Sequence, residues 1–118
     1  MPAEIDTWIS QLRKGVMELA VLGMLSRGEM YGSQIVETLA GRPELAISAG
    51  TVYPLLTRLK RLGLVESVWR ESPVGPPRKY YTLSASGSRQ FAQMEQAWHR
   101  VVDSVDAVLA GGDTHGGS

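Results

Sequence analysis

Ile47-Ser48-Ala49-Gly50-Thr51-Val52-Tyr53-Pro54-Leu55-Leu56-Thr57-Arg58-Leu59-Lys60-Arg61-Leu62-Gly63 is the stretch that decides the fold. Ser48 stands where a helix N-cap belongs, and Ile47 and Val52 are spaced for an apolar staple across it. Val52, Leu55, Leu56 and Leu59 follow at i, i+3, i+4, i+7 spacing, the stripe of a helix with one buried face. Tyr53, Thr57, Arg58, Lys60 and Arg61 are left facing outward, and Gly63 supplies a stop. Pro54 conflicts with this pattern, because it lacks a backbone donor and its ring meets the carbonyl of Gly50. A loosened first turn, with regular helix from about Val52, is therefore expected.

Two strand-like runs follow, 64–70 and 78–83, both rich in β-branched and aromatic residues. The segment 71–77 between them holds too much proline for regular structure. Tyr80 and Tyr81 must point to opposite faces of their strand, one toward the core and one toward the surface. Upstream, apolar residues from Ile5 to Leu25 predict one long helix over 5–26, stopped by Arg27-Gly28. A short helix over 31–39 comes next and ends before Pro43. Trp8 and Trp69 are expected in the core or against the hairpin.

After the hairpin, Ser84 or Ser86 caps a final helix running to about Ala110. Phe91, Met94, Trp98, Val101, Val105 and Val108 step along it by alternating threes and fours. That is the seam of a helix pairing with another chain, narrower than the face of a helix packed on its own core. Trp98 on this seam packs in the interface, faces its symmetry mate or lines a cavity between subunits. The fold class is mainly α with a small β-hairpin: a winged helix-turn-helix over 5–83 with an N-terminal helix, and a long C-terminal dimerisation helix over 84–110. The apolar-poor tail, 111–118, is expected to be disordered.

The 118 residues carry no net charge and no cysteine, so neither a disulfide nor a thiolate site is available. His99 and His115 are too few for a histidine metal site, and His99 has the look of a surface residue. There is no nucleophile with a His–carboxylate partner and no phosphate-cradling glycine loop, so an enzyme is not expected and no cofactor is implied. No apolar run spans a membrane and the first residues form no secretory signal, so a soluble cytoplasmic protein is expected.

Charge is unevenly placed. Arg58, Lys60, Arg61, Arg70, Arg78 and Lys79 stand against Glu66 and Glu71 over residues 51–80, a net of +4, while each flanking third carries −2. A basic helix followed by a basic hairpin is the arrangement of a DNA reader. Arg58, Lys60 and Arg61 are long enough for phosphates, and an arginine also reads guanine edges. Ser48, Thr51, Tyr53 and Thr57 offer hydroxyls near the helix start. Arg78 and Lys79 straddle a backbone, enter a minor groove, or merely discourage strand pairing between molecules.

These residues resemble the PadR-type transcriptional regulators. The resemblance is carried by Glu18-Leu19-Ala20-Val21-Leu22-Gly23-Met24-Leu25, Tyr31-Gly32, Gly50-Thr51-Val52-Tyr53-Pro54 and Pro77-Arg78-Lys79-Tyr80-Tyr81-Thr82-Leu83, and it covers roughly residues 12–110. It implies a homodimeric repressor of the subgroup with one dimerising helix, bound to a pseudo-palindromic double-stranded DNA operator. By position, Tyr31 and Gly32 would start the helix beside the DNA backbone. Ser48, Thr51, Tyr53, Pro54 and Arg58 would lie on the recognition helix, with Arg78 and Lys79 on the wing. The C-terminal helix would pack on the partner's N-terminal helix. Some drug-sensing relatives hold a planar aromatic effector between subunits against a tryptophan placed like Trp98. The proline-rich turn 73–77 departs from the Gly-Arg common in relatives and implies a stiffer wing with fewer phosphate contacts. Two competing functions are a ligand sensor built around the inter-subunit cavity, and a winged helix that binds protein rather than DNA.

Overall fold

The structure, a computed structural model, describes residues 2–111. Its centre is one apolar cluster in which Val21, Leu22, Ile35, Val52, Leu56, Leu59 and Val65 are fully buried. Burial of each such side chain contributes about 1.5–3 kcal/mol. Three helices supply most of it: α2 (Met17–Leu25), α3 (Gly32–Ala40) and α4 (Ala49–Arg61). A sheet closes the open side. β1 (Met30–Tyr31), β2 (Val65–Ser72) and β3 (Gly75–Leu83) are antiparallel in the order β1-β3-β2. α1 (Pro2–Lys14) precedes this body, α5 (Ala85–Ala110) follows it, and a single 3₁₀ turn, Pro43–Leu45, joins α3 to α4. This is a winged helix-turn-helix with an N-terminal helix and a long C-terminal one.

The expected helix over 5–26 is two helices. The chain turns at Gly15 and Val16, whose amides donate back only three residues, to Leu12 and Arg13. Glycine's low helix propensity permits the break, and the apolar spacing runs across it, which is why the break was not visible in the pattern. The consequence reaches Trp8, expected in the core but 65% exposed, with Ile5 and Leu12 exposed beside it.

α4 is continuous through Pro54, and the loosening expected there is a tightening. The Ser48 carbonyl accepts from Thr51 at 2.9 Å and from Val52 at 3.0 Å. The bond that Pro54 omits would have gone to Gly50, which lies at the exposed surface where water serves. Ser48 holds the N-cap position in extended geometry, but its side chain makes no capping bond. At the other end Gly63, with φ +79°, completes a Schellman stop: Leu64 donates to Leu59 and Gly63 to Lys60, each at 3.0 Å.

The proline-rich segment also proves more regular than expected. Ser72 faces Gly75 across a two-residue turn, and Arg70 faces Arg78. Between those pairs, one residue of β2, Glu71, opposes Pro76 and Pro77. A bulge is where a strand tolerates residues that cannot donate. β1 carries no strand signal of its own in the sequence. Met30 and Tyr31 pair with Tyr81 and Tyr80, and Tyr31 then becomes the N-cap of α3, its amide donating to Gln34 Oε1 at 3.3 Å. Tyr81 is buried, whereas Tyr80 turns to the other face and meets Tyr31 edge-on.

Ser84, not Ser86, caps α5, accepting from the Gly87 amide at 3.0 Å. Both hydroxyls donate to the Gly63 carbonyl, at 2.6 and 3.0 Å. Gly87 is pressed on the Leu64 carbonyl, leaving no room for a Cβ. Farther along, Phe91 and Met94 pack against the protein's own core, Phe91 meeting α2 at Gly23. Trp98, Val101, Val105 and Val108 are exposed. The seam read as one surface therefore divides into an anchored start and an open remainder. Gly111 ends α5 with φ +73°, and the rest of the expected disordered tail lies outside the described residues. Among the described residues no helix is long and apolar enough to cross a membrane.

Gly87→Ala should cost about 3 kcal/mol in urea unfolding, because backbone must move to admit the methyl group. Ser88→Ala, exposed one residue on, should stay within about 0.5 kcal/mol of wild type.

Candidate nucleic-acid interface

α4 turns about 100° per residue, so Gly50, Pro54, Thr57 and Arg61 form the row opposite the buried Val52, Leu56 and Leu59. All four are exposed. Tyr53 lies on one flank of that row and Arg58 on the other, with Thr51 beside Arg58 in the first turn.

The Tyr53 flank meets α3 and the wing. The Tyr53 ring rests on Gly32, where a Cβ would fall only 2.6 Å from the phenol oxygen, so the α3 start must be glycine for this approach. A cleft of about 340 Å³ opens here, lined by Tyr31, Gly32, Ser33, Tyr53, Trp69, Arg78, Lys79 and Tyr81. It joins the α3 start, α4 and the hairpin, and no acidic residue lines it. Ser33, Trp69 and Tyr81 were not singled out as site residues. Trp69, expected to be packed, is 66% exposed on the hairpin. Strand alternation brings it to the face carrying Lys79, its register partner.

Arg78 lies over the Tyr31 ring, 4.3 Å from guanidinium carbon to centroid. Lys79 Nζ sits between Trp69 and Tyr81, 6.0 and 5.9 Å from the two ring centres. At exposed sites such contacts contribute about 0.5–1 kcal/mol. Their geometry matters more than their strength. Stacking uses the face of a guanidinium and leaves its N–H edges available to an acceptor.

Arg58 and Arg70 behave differently. Arg58 Nη2 is 3.2 Å from Glu18 Oε1 of α2, and Arg70 Nη2 is 2.8 Å from Glu29 Oε1. Both acids come from the negatively charged first third of the chain, 40 and 41 residues away. Two of the six cations counted in the basic third are thus neutralised, leaving Lys60, Arg61, Arg78 and Lys79 as its outward charge. No local pattern signals these pairs, which form only when α2 meets α4 and the loop before β1 meets the wing. His99 is exposed, 4.0 Å from Glu95. Among the described residues no cluster of His, Asp or Glu is placed to hold a metal.

Residues 21–93 match the family described as the PadR-like family of transcriptional regulators. The chain belongs to that family. A PadR family transcriptional regulator from Eggerthella lenta is 34% identical, with a TM-score of 0.81 over 92% of this chain and 94% of that one. A PadR-like transcriptional regulator from Bacillus cereus is also 34% identical, with a TM-score of 0.78 over 84% and 96%. A Streptococcus transcriptional regulator reaches 38% identity and a TM-score of 0.74 over 83% and 96%. PadR-like proteins are transcriptional regulators rather than enzymes, and DNA-binding regulation is the activity this membership carries.

Burial raises the Tyr81 phenol above its ordinary pKa, and nearby Tyr53 adds to the shift. A raised folded-state value means stability that is complete below about pH 10 and falls as the pH rises further. Tyr81→Phe should flatten that alkaline decline in denaturant midpoints measured from pH 9 to 11. An unaltered slope would remove Tyr81 as its source.

Proposed function

We propose that the chain is a homodimeric repressor that places α4 in the major groove and the β2–β3 wing on the flanking backbone of a pseudo-palindromic operator. The observation that carries this reading is the continuous surface from Gly50, Pro54, Thr57 and Arg61 across the Tyr53 cleft to Arg78 and Lys79. Ser48 and Thr51 stand at the exposed start of α4, where the helix dipole favours phosphate, and Tyr31 and Gly32 begin α3 beside the cleft. Arg61 and Lys60 approach the groove from the last turn. Arg58 is committed to Glu18 and contributes less than the sequence implied.

Two unpartnered apolar faces support the dimer. α1 exposes Ile5, Trp8 and Leu12, and α5 exposes Trp98, Val101, Val105 and Val108. Both faces run along helices flanking the 16–83 body, as expected if the α5 helix of one protomer covers α1 of its partner. A small planar aromatic effector is the second reading, favoured by one specific groove. It measures about 260 Å³ between α1 and α5 and is lined by Ile9, Leu12, Val16, Leu45 and Trp98, with Arg13 and Glu44 at its rim. The fit of such a compound there would move α5 and, with it, the spacing of the two α4 helices.

Arg61→Ala with Lys79→Ala should weaken binding to operator DNA and lower the slope of log K against log salt by about two. Unchanged gel shifts over a salt series would sink the DNA assignment. Val101→Glu should give monomers in sedimentation, and a persistent dimer would count against the α5 interface. For the effector, intrinsic fluorescence should be quenched by planar aromatic cations in wild type but not in Trp98→Ala. Equal quenching in both would remove Trp98 from the site.

A further inference from the structure

Glu18 occupies an unusual junction. It projects from α2, and its two carboxylate oxygens are claimed by different helices: Oε1 by Arg58 of α4 and Oε2 by Gln90 of α5, each at 3.2 Å. The Arg58 side chain is 47% exposed and Glu18 only 22%, so the acid is the better sheltered and the more firmly placed partner. Arg58 flanks the groove-facing row of α4, within a side chain's reach of Thr57 and Arg61.

We propose that Glu18 is a specificity-determining residue: it withholds Arg58 from DNA phosphates, and Gln90 fixes the carboxylate in that restraining position. This rests on the DNA-reading function proposed above. The physical reason is competition for one cation. An arginine with no partner at the edge of a reading helix binds any phosphate, which strengthens attachment to every sequence equally. An arginine already paired must exchange one anion for another, and the exchange yields little unless the helix is seated closely enough to bring a phosphate into bidentate geometry. Affinity for indiscriminate DNA is thereby held down while the closely docked complex still gains the contact. Gln90 lies between Gly87 and Phe91 on the anchored first turns of α5, so the carboxylate is held by a fixed part of the fold.

The test measures binding of the full chain to a mixed-sequence 30-base-pair duplex by fluorescence anisotropy, between about 50 and 300 mM salt. Glu18→Gln, which keeps the shape and loses the charge, should bind roughly fivefold to tenfold tighter at the low-salt end, with a salt slope steeper by about one. Gln90→Ala should show a smaller gain in the same direction. Adding Arg58→Ala to Glu18→Gln should cancel the gain. Unchanged or weaker binding by Glu18→Gln overturns the proposal, as does a gain that survives Arg58→Ala, since the cause would then be overall charge. Failure of the wild-type chain to bind any duplex in a salt-sensitive way is a separate result and overturns the DNA-reading function itself. Matching thermal midpoints of wild type and Glu18→Gln keep the comparison free of folding effects.

Discussion

The close approach of Gly87 to the Leu64 carbonyl is the constraint on which the rest of the structure depends. Leu64 ends the Schellman turn of α4, so that helix stops at the point where α5 begins to dock. Ser84 returns its amide to the Leu64 carbonyl at 3.0 Å, and the two serine hydroxyls satisfy the Gly63 carbonyl. Polar groups left over from one helix end are thus used to start another. The angle between α4 and α5 is fixed by backbone contact rather than by interchangeable side chains. In a two-fold assembly through α5, that angle determines where both reading helices lie.

Charge has to be judged in three dimensions here. The chain as a whole is neutral, and its basic third loses two cations to acids brought in by packing. What remains outward is small but well placed. Arg78 and Lys79 are held by aromatic faces, which order the side chains without consuming their hydrogen-bonding capacity. Less side-chain entropy would then be lost in the proposed contact with a phosphate. The bulge at Pro76-Pro77 acts in the same direction, stiffening the strand that presents both residues.

The parts of the fold legible in sequence were those whose signals are local. The stripe Val52, Leu56, Leu59 with Gly63 beyond it marks α4 by itself, and the alternating steps from Phe91 to Val108 mark α5. Features that depend on distant partners were not legible. β1 is two residues long and exists because β3 lies alongside it. The break at Gly15 is hidden by apolar residues that keep helical spacing on both sides while facing different surroundings. The ion pair of Arg58 and the exposure of Trp69 were not legible for the same reason. Arg58 is paired with a glutamate on another helix, and Trp69 shares the face of buried Tyr81 and Val65 but lies farther out along the hairpin, beyond the core.

The division of α5 explains how a single helix can serve two surfaces without conflict. Its first turns carry Gly87, Phe91 and Met94, which are committed to the protomer's own core, so the helix cannot roll to present a different face. From Trp98 onward the same stripe is exposed, a row of large apolar groups in water at a cost of about 25 cal/mol for each Å². A helix anchored at one end and apolar at the other has little freedom in how a second copy meets it. The orientation of the proposed pair is therefore inherited from the anchor. A ligand wedged beside Trp98 would shift the free arm beyond Met94, and with it the position of a second copy, while the anchored turns that hold Gln90 stay in place.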